Sequence, residues 1–304
     1  MTTANDGLPA WPLPDAPEDL VVHEGQFHRV IVGADRVVCL PRTRAAASRL
    51  PRRVEVLRLL AELDLGFVTP SPLFEHGTRD TDGRSAPGGD AGDALLGHGT
   101  GDVDGWPFLV LSRVPGAPLE ADTLKDPAVA EAVAARYVTL LASLAGAGSD
   151  ERARAALTAP RDRWRCFAQD VRSELFGLMS QDGRRRADRE LVALDDLPHL
   201  TDALVHGDLG VENVLWEIVD GRPRLGGVVD WDEVTIGDQA EDLAAIGAGH
   251  GEAFLRRVFA LGGWSGDTAA RVTVIGRTFA LQQALSAFRD EDEEELADGL
   301  SAYR

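Results

Sequence analysis

Residues 204–245, LVHGDLGVENVLWEIVDGRPRLGGVVDWDEVTIGDQAEDLAA, constrain the fold more than any other stretch of the chain. Leu204 and Val205 read as a short apolar strand end, followed by a polar turn over 206–213. Residues 214–219 read as a second strand and Asp220-Gly221 as a tight-turn dipeptide. Residues 225–229 then return as a third strand that delivers Asp230 at its end. The pattern is expected to bring Asp208, Asn213 and Asp230 to one edge of a small hairpin. Phosphoryl transfer from ATP needs that set of groups. One carboxylate takes the proton of the attacking hydroxyl, while an amide oxygen and a second carboxylate hold Mg²⁺ on the phosphates. Oxygen ligands suit a hard cation, and no His/Cys cluster competes for a soft one.

Asp208, four intervening residues, Asn213 and then a strand-borne Asp is also the order of the protein-kinase catalytic loop, with Gly207 where protein kinases carry Arg. HGDxxxxN followed by VVDWDEVTIGDQAEDLA resembles the aminoglycoside phosphotransferase family, kinase-like enzymes that inactivate antibiotics. The resemblance implies an α+β, two-lobed protein-kinase-like fold, with a small antiparallel β-sheet lobe over 20–112 and a mainly helical lobe over 113–304. It implies ATP (or GTP) and Mg²⁺ as cofactors, Asp208 as catalytic base, and Asn213 and Asp230 as metal ligands. His206 is expected to fix the loop through hydrogen bonds. HEGQFHRVIVG, VVCLPRTRAAASRLPRR, LVLSRVPGAPLE and TFALQQAL extend the resemblance to a branch of the family that phosphorylates a hydroxyl on basic cyclic peptide antibiotics. Aminoglycoside, macrolide or small-metabolite kinases on the same fold, or a protein that sequesters the drug without catalysis, are the alternatives.

The formal net charge of −19 over 304 residues argues against nucleic acid as a partner, since phosphates would be repelled. It suits a cationic small molecule, and plain solubility accounts for it equally well. Cys39 and Cys166 lie far apart without a CxxC and read as buried free thiols in a reducing compartment. Residues 1–20 lack a basic region and an apolar core, so no signal peptide is read there. No apolar run is expected to reach the length of a membrane span. A soluble, cytoplasmic enzyme follows from these readings, with residues 1–19 a loosely held arm.

The small lobe opens with strands over 29–33 and 37–40 around a hairpin tip at Ala34-Asp35. No GxGxxG is present, so a phosphate cover is expected from the backbone around residues 25–28, ending at His28. The lysine that the kinase-like fold places at the end of the second strand is replaced by Cys39. Arg42, the nearest cation, is either its substitute or a surface residue. A helix over 44–63 follows, with Pro51 expected to begin its regular part. Glu55 is its central acid, either the partner of a phosphate-binding cation or a solvated position, the second reading being preferred. Residues 76–104, rich in Gly, Asp, Thr and Ser, read as a mobile insertion. The strand over 106–111 leads to the expected hinge at Ser112, Arg113 and Val114, where backbone groups would pair with adenine.

In the large lobe, Asp126-Pro127 is a helix start. Further helices are expected at 164–178, 187–194, 238–247, 251–260 and 268–288. Asp238 reads as an N-cap, with Glu241 three residues on in the capping-box position. Bracing of the catalytic loop is read as a secondary role of Asp238, and Asp242 is either braced itself or substrate-facing. Asp232, Glu233 and Asp242 join Asp208 as candidates for contact with a cationic acceptor. Six consecutive acids at 290–295 read as a solvated face, with attraction of a polycationic substrate as the alternative.

Overall fold

The computed structural model describes residues 19–25, 28–74, 100–103 and 106–304. They form two compact units: the described residues up to Gly116 with Gly226–Trp231, and Ala117–Leu225 with Asp232–Arg304. The expected arm at 1–19 lies outside the described residues except for Asp19.

The first unit is built on strands β1 (Val21–Glu24), β2 (His28–Val32), β3 (Arg36–Pro41), β4 (Pro72–Phe74), β5 (Thr100–Val103) and β6 (Trp106–Ser112). They pair antiparallel in the order β1-β2-β3-β6-β4, with β5 also on β6. Ile31, Val38, Phe108 and Val110 form its buried sheet core. The helix α1 (Arg44–Glu62) buries Ala46, Leu50, Val54, Leu57 and Leu60 at helical spacing. Thr43 caps it, its Oγ1 accepting from the Ala46 N–H at 3.0 Å. The helix thus starts seven residues before Pro51. That proline sits inside it and removes one backbone donor.

The insertion is not wholly irregular. Thr100–Val103 pair with β6, Thr100 opposite Leu109 and Val103 opposite Trp106. Ladder hydrogen bonds join backbone groups, so a strand can add to an edge without apolar side chains. Residues 75–99 and 104–105 lie outside the described residues.

The second unit starts with β7 (Ala117–Pro118) and the helices α2 (Pro127–Ala147), α3 (Glu151–Leu157), α4 (Arg163–Asp170) and α5 (Gln181–Asp195). Next come β8 (Ala203–Val205), β9 (Val214–Val219), β10 (Arg222–Val228, whose last residues group with the first unit) and β11 (Thr235–Gly237). It closes with α6 (Ala240–His250), α7 (Glu252–Gly262), α8 (Gly266–Gly276), α9 (Phe279–Arg289) and α10 (Glu293–Gly299). β10, β9 and β7 form one small sheet, and β11 pairs with β8 in another.

By length and composition α2 is apolar enough to cross a membrane, contrary to the sequence reading. Its apolar face is the core of this unit, however, with Val133, Tyr137, Leu140, Leu141 and Leu144 all buried. Asp126 caps it as expected, accepting from the Ala128 N–H at 2.8 Å. The helix expected at 268–288 is two helices. They break at Thr278, a buried residue whose hydroxyl donates to the Ile275 carbonyl at 2.7 Å. Both cysteines are unbridged thiols as expected, but only Cys39 is buried.

Candidate active site

In the second unit, β8 ends at Val205 and the chain enters the polar turn. Gly207 has φ +87°, and a Cβ there would meet the Glu233 carbonyl oxygen at 2.6 Å. Glycine at this position, in place of the arginine of protein kinases, therefore follows from backbone geometry. His206 is fully buried and its Nδ1 accepts from the Asp208 N–H at 3.2 Å, the loop-fixing role read from sequence.

Asn213 is buried, and its Nδ2 donates to both the Asp208 carbonyl at 2.8 Å and Asp208 Oδ2 at 3.0 Å. The two residues five apart are thus locked together, with Asp208 exposed. The amide nitrogen faces Asp208, which leaves Oδ1 as the atom of Asn213 suited to a hard cation. Behind them, Trp216 on β9 packs against Tyr137 of α2, ring centroids 5.7 Å apart. Tyr137 also bonds His250 Nε2 through its hydroxyl at 2.8 Å. Burial lowers the His250 pKa to about 4.

Asp242 is the brace of this loop and not a substrate contact. It is fully buried, and its two carboxylate oxygens accept the His206 and Gly207 N–H groups, each at 3.0 Å. Burial raises its pKa to about 7, against the pull of those two donors. The α6 N-terminus that carries it is itself tied down. Asp238 Oδ1 accepts from the Ala240 N–H at 3.0 Å, and Glu241 Oε1 accepts from the Asp238 N–H at 3.3 Å, the reciprocal pattern read as a capping box. Arg271 grips Asp238 with two bonds of 2.6 and 3.2 Å, and Arg163 pairs with Glu241. These arginines are not legible from the motif because they come from helices far from it in sequence.

Asp232 and Glu233, the other two acids expected to meet the acceptor, are exposed. A polar pocket of the same unit is lined by Arg161, Trp164, Asp195, His199 and Asp238.

In the first unit, Asp230 stands just past β10 with φ +64°, a left-handed conformation that Asp tolerates better than most residues. Its neighbours hold it there. Val228 N–H donates to the Val68 carbonyl at 3.0 Å, and Trp231 is buried, bonds the Val228 carbonyl and stacks on Phe67. The Asp230 carboxylate, 52% exposed, faces the Arg53 guanidinium, whose Nη2 lies 3.3 Å from Oδ1. His28 lies near this pair, and its Nε2 is buried without a hydrogen-bond partner among the described residues. Burial first, and the charge of Arg53 second, lower its pKa to about 4. Arg53 carries no sequence signal of its own; it shares the inward stripe of α1.

Arg42 is exposed and donates to the Gly25 carbonyl at 2.7 Å. Glu55 is exposed. Of the expected hinge, the Ser112 N–H donates to the Ser71 carbonyl at 2.8 Å and the Arg113 N–H to the Asp35 carbonyl at 2.9 Å. Those two donors are committed within the first unit, and the Arg113 side chain turns onto the Gly33 carbonyl. Val114, the third residue of the expected hinge, is buried. Among the described residues no group of three or more His, Cys, Asp or Glu could cage a metal. Asn213 in the second unit and Asp230 in the first each carry an oxygen of the kind that Mg²⁺ accepts beside substrate phosphates.

Residues 22–273 match the model of the phosphotransferase enzyme family. Viomycin phosphotransferase of Streptomyces vinaceus is 62% identical over 287 residues, covering 94% of this chain and 92% of that protein. Among solved structures, the GDP and kanamycin complex of APH(2")-IIia superposes with a TM-score of 0.73 at 18% identity, covering 99% of this chain and 95% of the other. Macrolide 2'-phosphotransferase type I does so with a TM-score of 0.60 at 21% identity, covering 93% and 90%. The two structural likenesses show a shared kinase-like fold.

Proposed function

The chain belongs to the phosphotransferase enzyme family, and we propose that it moves the γ-phosphoryl group of ATP or GTP to a hydroxyl of a basic cyclic peptide antibiotic of the viomycin and capreomycin type. The observation that carries the chemistry is the lock between Asn213 Nδ2 and Asp208. It holds a carboxylate in one orientation, as a base must be held when it receives a hydroxyl proton at the moment of attack. Asp208 takes the role of that base. Asn213 Oδ1 and the Asp230 carboxylate would hold Mg²⁺, which when bound neutralises charge on the phosphates. Catalysis on this plan is positioning and electrostatics, and the buried Asp242 brace serves the first of these.

The acceptor assignment rests on the 62% identity to viomycin phosphotransferase, and the charge of −19 suits a polycationic acceptor. Asp232, Glu233 and the pocket at Trp164, Asp195 and His199 are the proposed acceptor surface. Such an enzyme would work in the cytoplasm, where nucleotide is abundant, and protect its host. The test is nucleotide turnover with Mg²⁺ against viomycin, capreomycin, kanamycin and erythromycin, with products weighed by mass spectrometry. A gain of one phosphoryl group on either peptide is the expected result. A gain on kanamycin or erythromycin alone would keep the chemistry and discard the acceptor. Tight drug binding with no product would favour sequestration.

A further inference from the structure

A nucleotide site of this kind needs a cation against the phosphates, and the sequence leaves few candidates. The whole chain contains one lysine, Lys125, and it belongs to the second unit, where it pairs with Asp122. The strand position where the kinase-like fold would carry a lysine holds Cys39, a thiol only 3% exposed. The first unit must therefore use arginine. Several of its arginines already have structural duties: Arg29 pairs with Glu24, Arg42 holds the Gly25 carbonyl, and Arg113 holds the Gly33 carbonyl.

We infer that Arg53 is the phosphate-facing cation of the nucleotide site, resting on Asp230 until a metal–nucleotide complex takes that carboxylate. The inference rests on the phosphotransferase reading of the site. Three observations support it. Arg53 lies on the inward stripe of α1 with its side chain 13% exposed, whereas Glu55, the central acid of that helix, is exposed. Its guanidinium reaches the carboxylate proposed as a metal ligand, at 3.3 Å. That carboxylate is half exposed, so the ion pair adds little to stability and exchanges at small cost. A divalent ion on Asp230 would repel the guanidinium and turn its planar fork toward a phosphate oxygen, which it matches bidentately.

The test is equilibrium binding of adenosine, ADP and ATP, with and without Mg²⁺, to the full chain and to R53Q, R53K and R42Q, with thermal melts of each. R53Q should bind ADP and ATP about 10- to 100-fold more weakly and adenosine as well as the unaltered protein. R53K should recover part of the loss, and R42Q should change none of the three. R53Q that binds ATP normally would overturn the inference alone, as would R42Q showing the phosphate-specific loss. Equal weakening of adenosine and ATP in R53Q would mark a merely structural role and also overturn it. An unaltered protein that binds no nucleotide would overturn the phosphotransferase reading, and this inference with it.

Discussion

The two units present their functional acids in opposite ways. Asp208 of the second unit sits on a loop held by buried residues: His206 beneath it, Asn213 across from it, and Asp242 behind with two accepted N–H groups. Asp230 of the first unit is half exposed and answers to one exchangeable arginine. The difference fits the tasks proposed for them. A base must keep one orientation through every turnover, so its loop is rigid. A metal ligand that meets its ion only with the incoming nucleotide is better served by a partner that leaves easily.

If bracing is what separates the two, removing it should have unequal consequences. Asp242→Ala leaves two buried N–H groups without an acceptor and should cost about 2–5 kcal/mol of stability, read as a lowered urea midpoint, with phosphoryl transfer lost in the protein that still folds. Gly207→Arg, which restores the protein-kinase residue, forces a side chain into φ +87° against the Glu233 carbonyl. It should cost about 1–3 kcal/mol in backbone strain alone and abolish turnover by moving Asp208. A wild-type midpoint in either variant would show that the loop is not held as described.

A subtler effect concerns pH. The His250 pKa is lowered to about 4, so the folded chain keeps this ring neutral while the unfolded chain protonates it below its ordinary value of 6.5. Its contribution to stability is therefore present above pH 6.5 and is lost as pH falls from there toward 4. The stability gap between wild type and His250→Gln should shrink from pH 7 to pH 5; a constant gap would contradict a neutral, half-buried ring bonded to Tyr137. The smallest change is expected in the first unit. Arg53→Gln should alter stability by less than about 1 kcal/mol, and a loss as large as that of Asp242→Ala would erase the contrast between the units.

Much of the braced half is legible from sequence because its parts are local. HGDxxxxN places Asp208 and Asn213 on one short turn, and Asp238 with Glu241 announces a helix start by spacing alone. What stays hidden comes from distant chain. Asp242 can be read two ways until its burial under His206 and Gly207 decides for the brace. Arg163 and Arg271 reach the same helix end from 78 and 33 residues away. In the first unit, sequence distance from the lysine position points to Arg42. The residue that faces Asp230 lies 177 positions from it and on the inward stripe of α1. Strand β5 escapes the sequence for another reason, since edge pairing depends on backbone groups that composition does not reveal.

The most direct test is the product formed from ATP, Mg²⁺ and viomycin or capreomycin by wild type and by Asp208→Asn, weighed by mass spectrometry alongside the binding of each substrate. Removing a positioned base should lower turnover by about 10²–10⁴-fold while nucleotide and antibiotic still bind. Phosphorylated peptide forming at the wild-type rate with Asn at 208 would contradict the assignment of Asp208 as base, and with it the purpose of the braced loop that holds it.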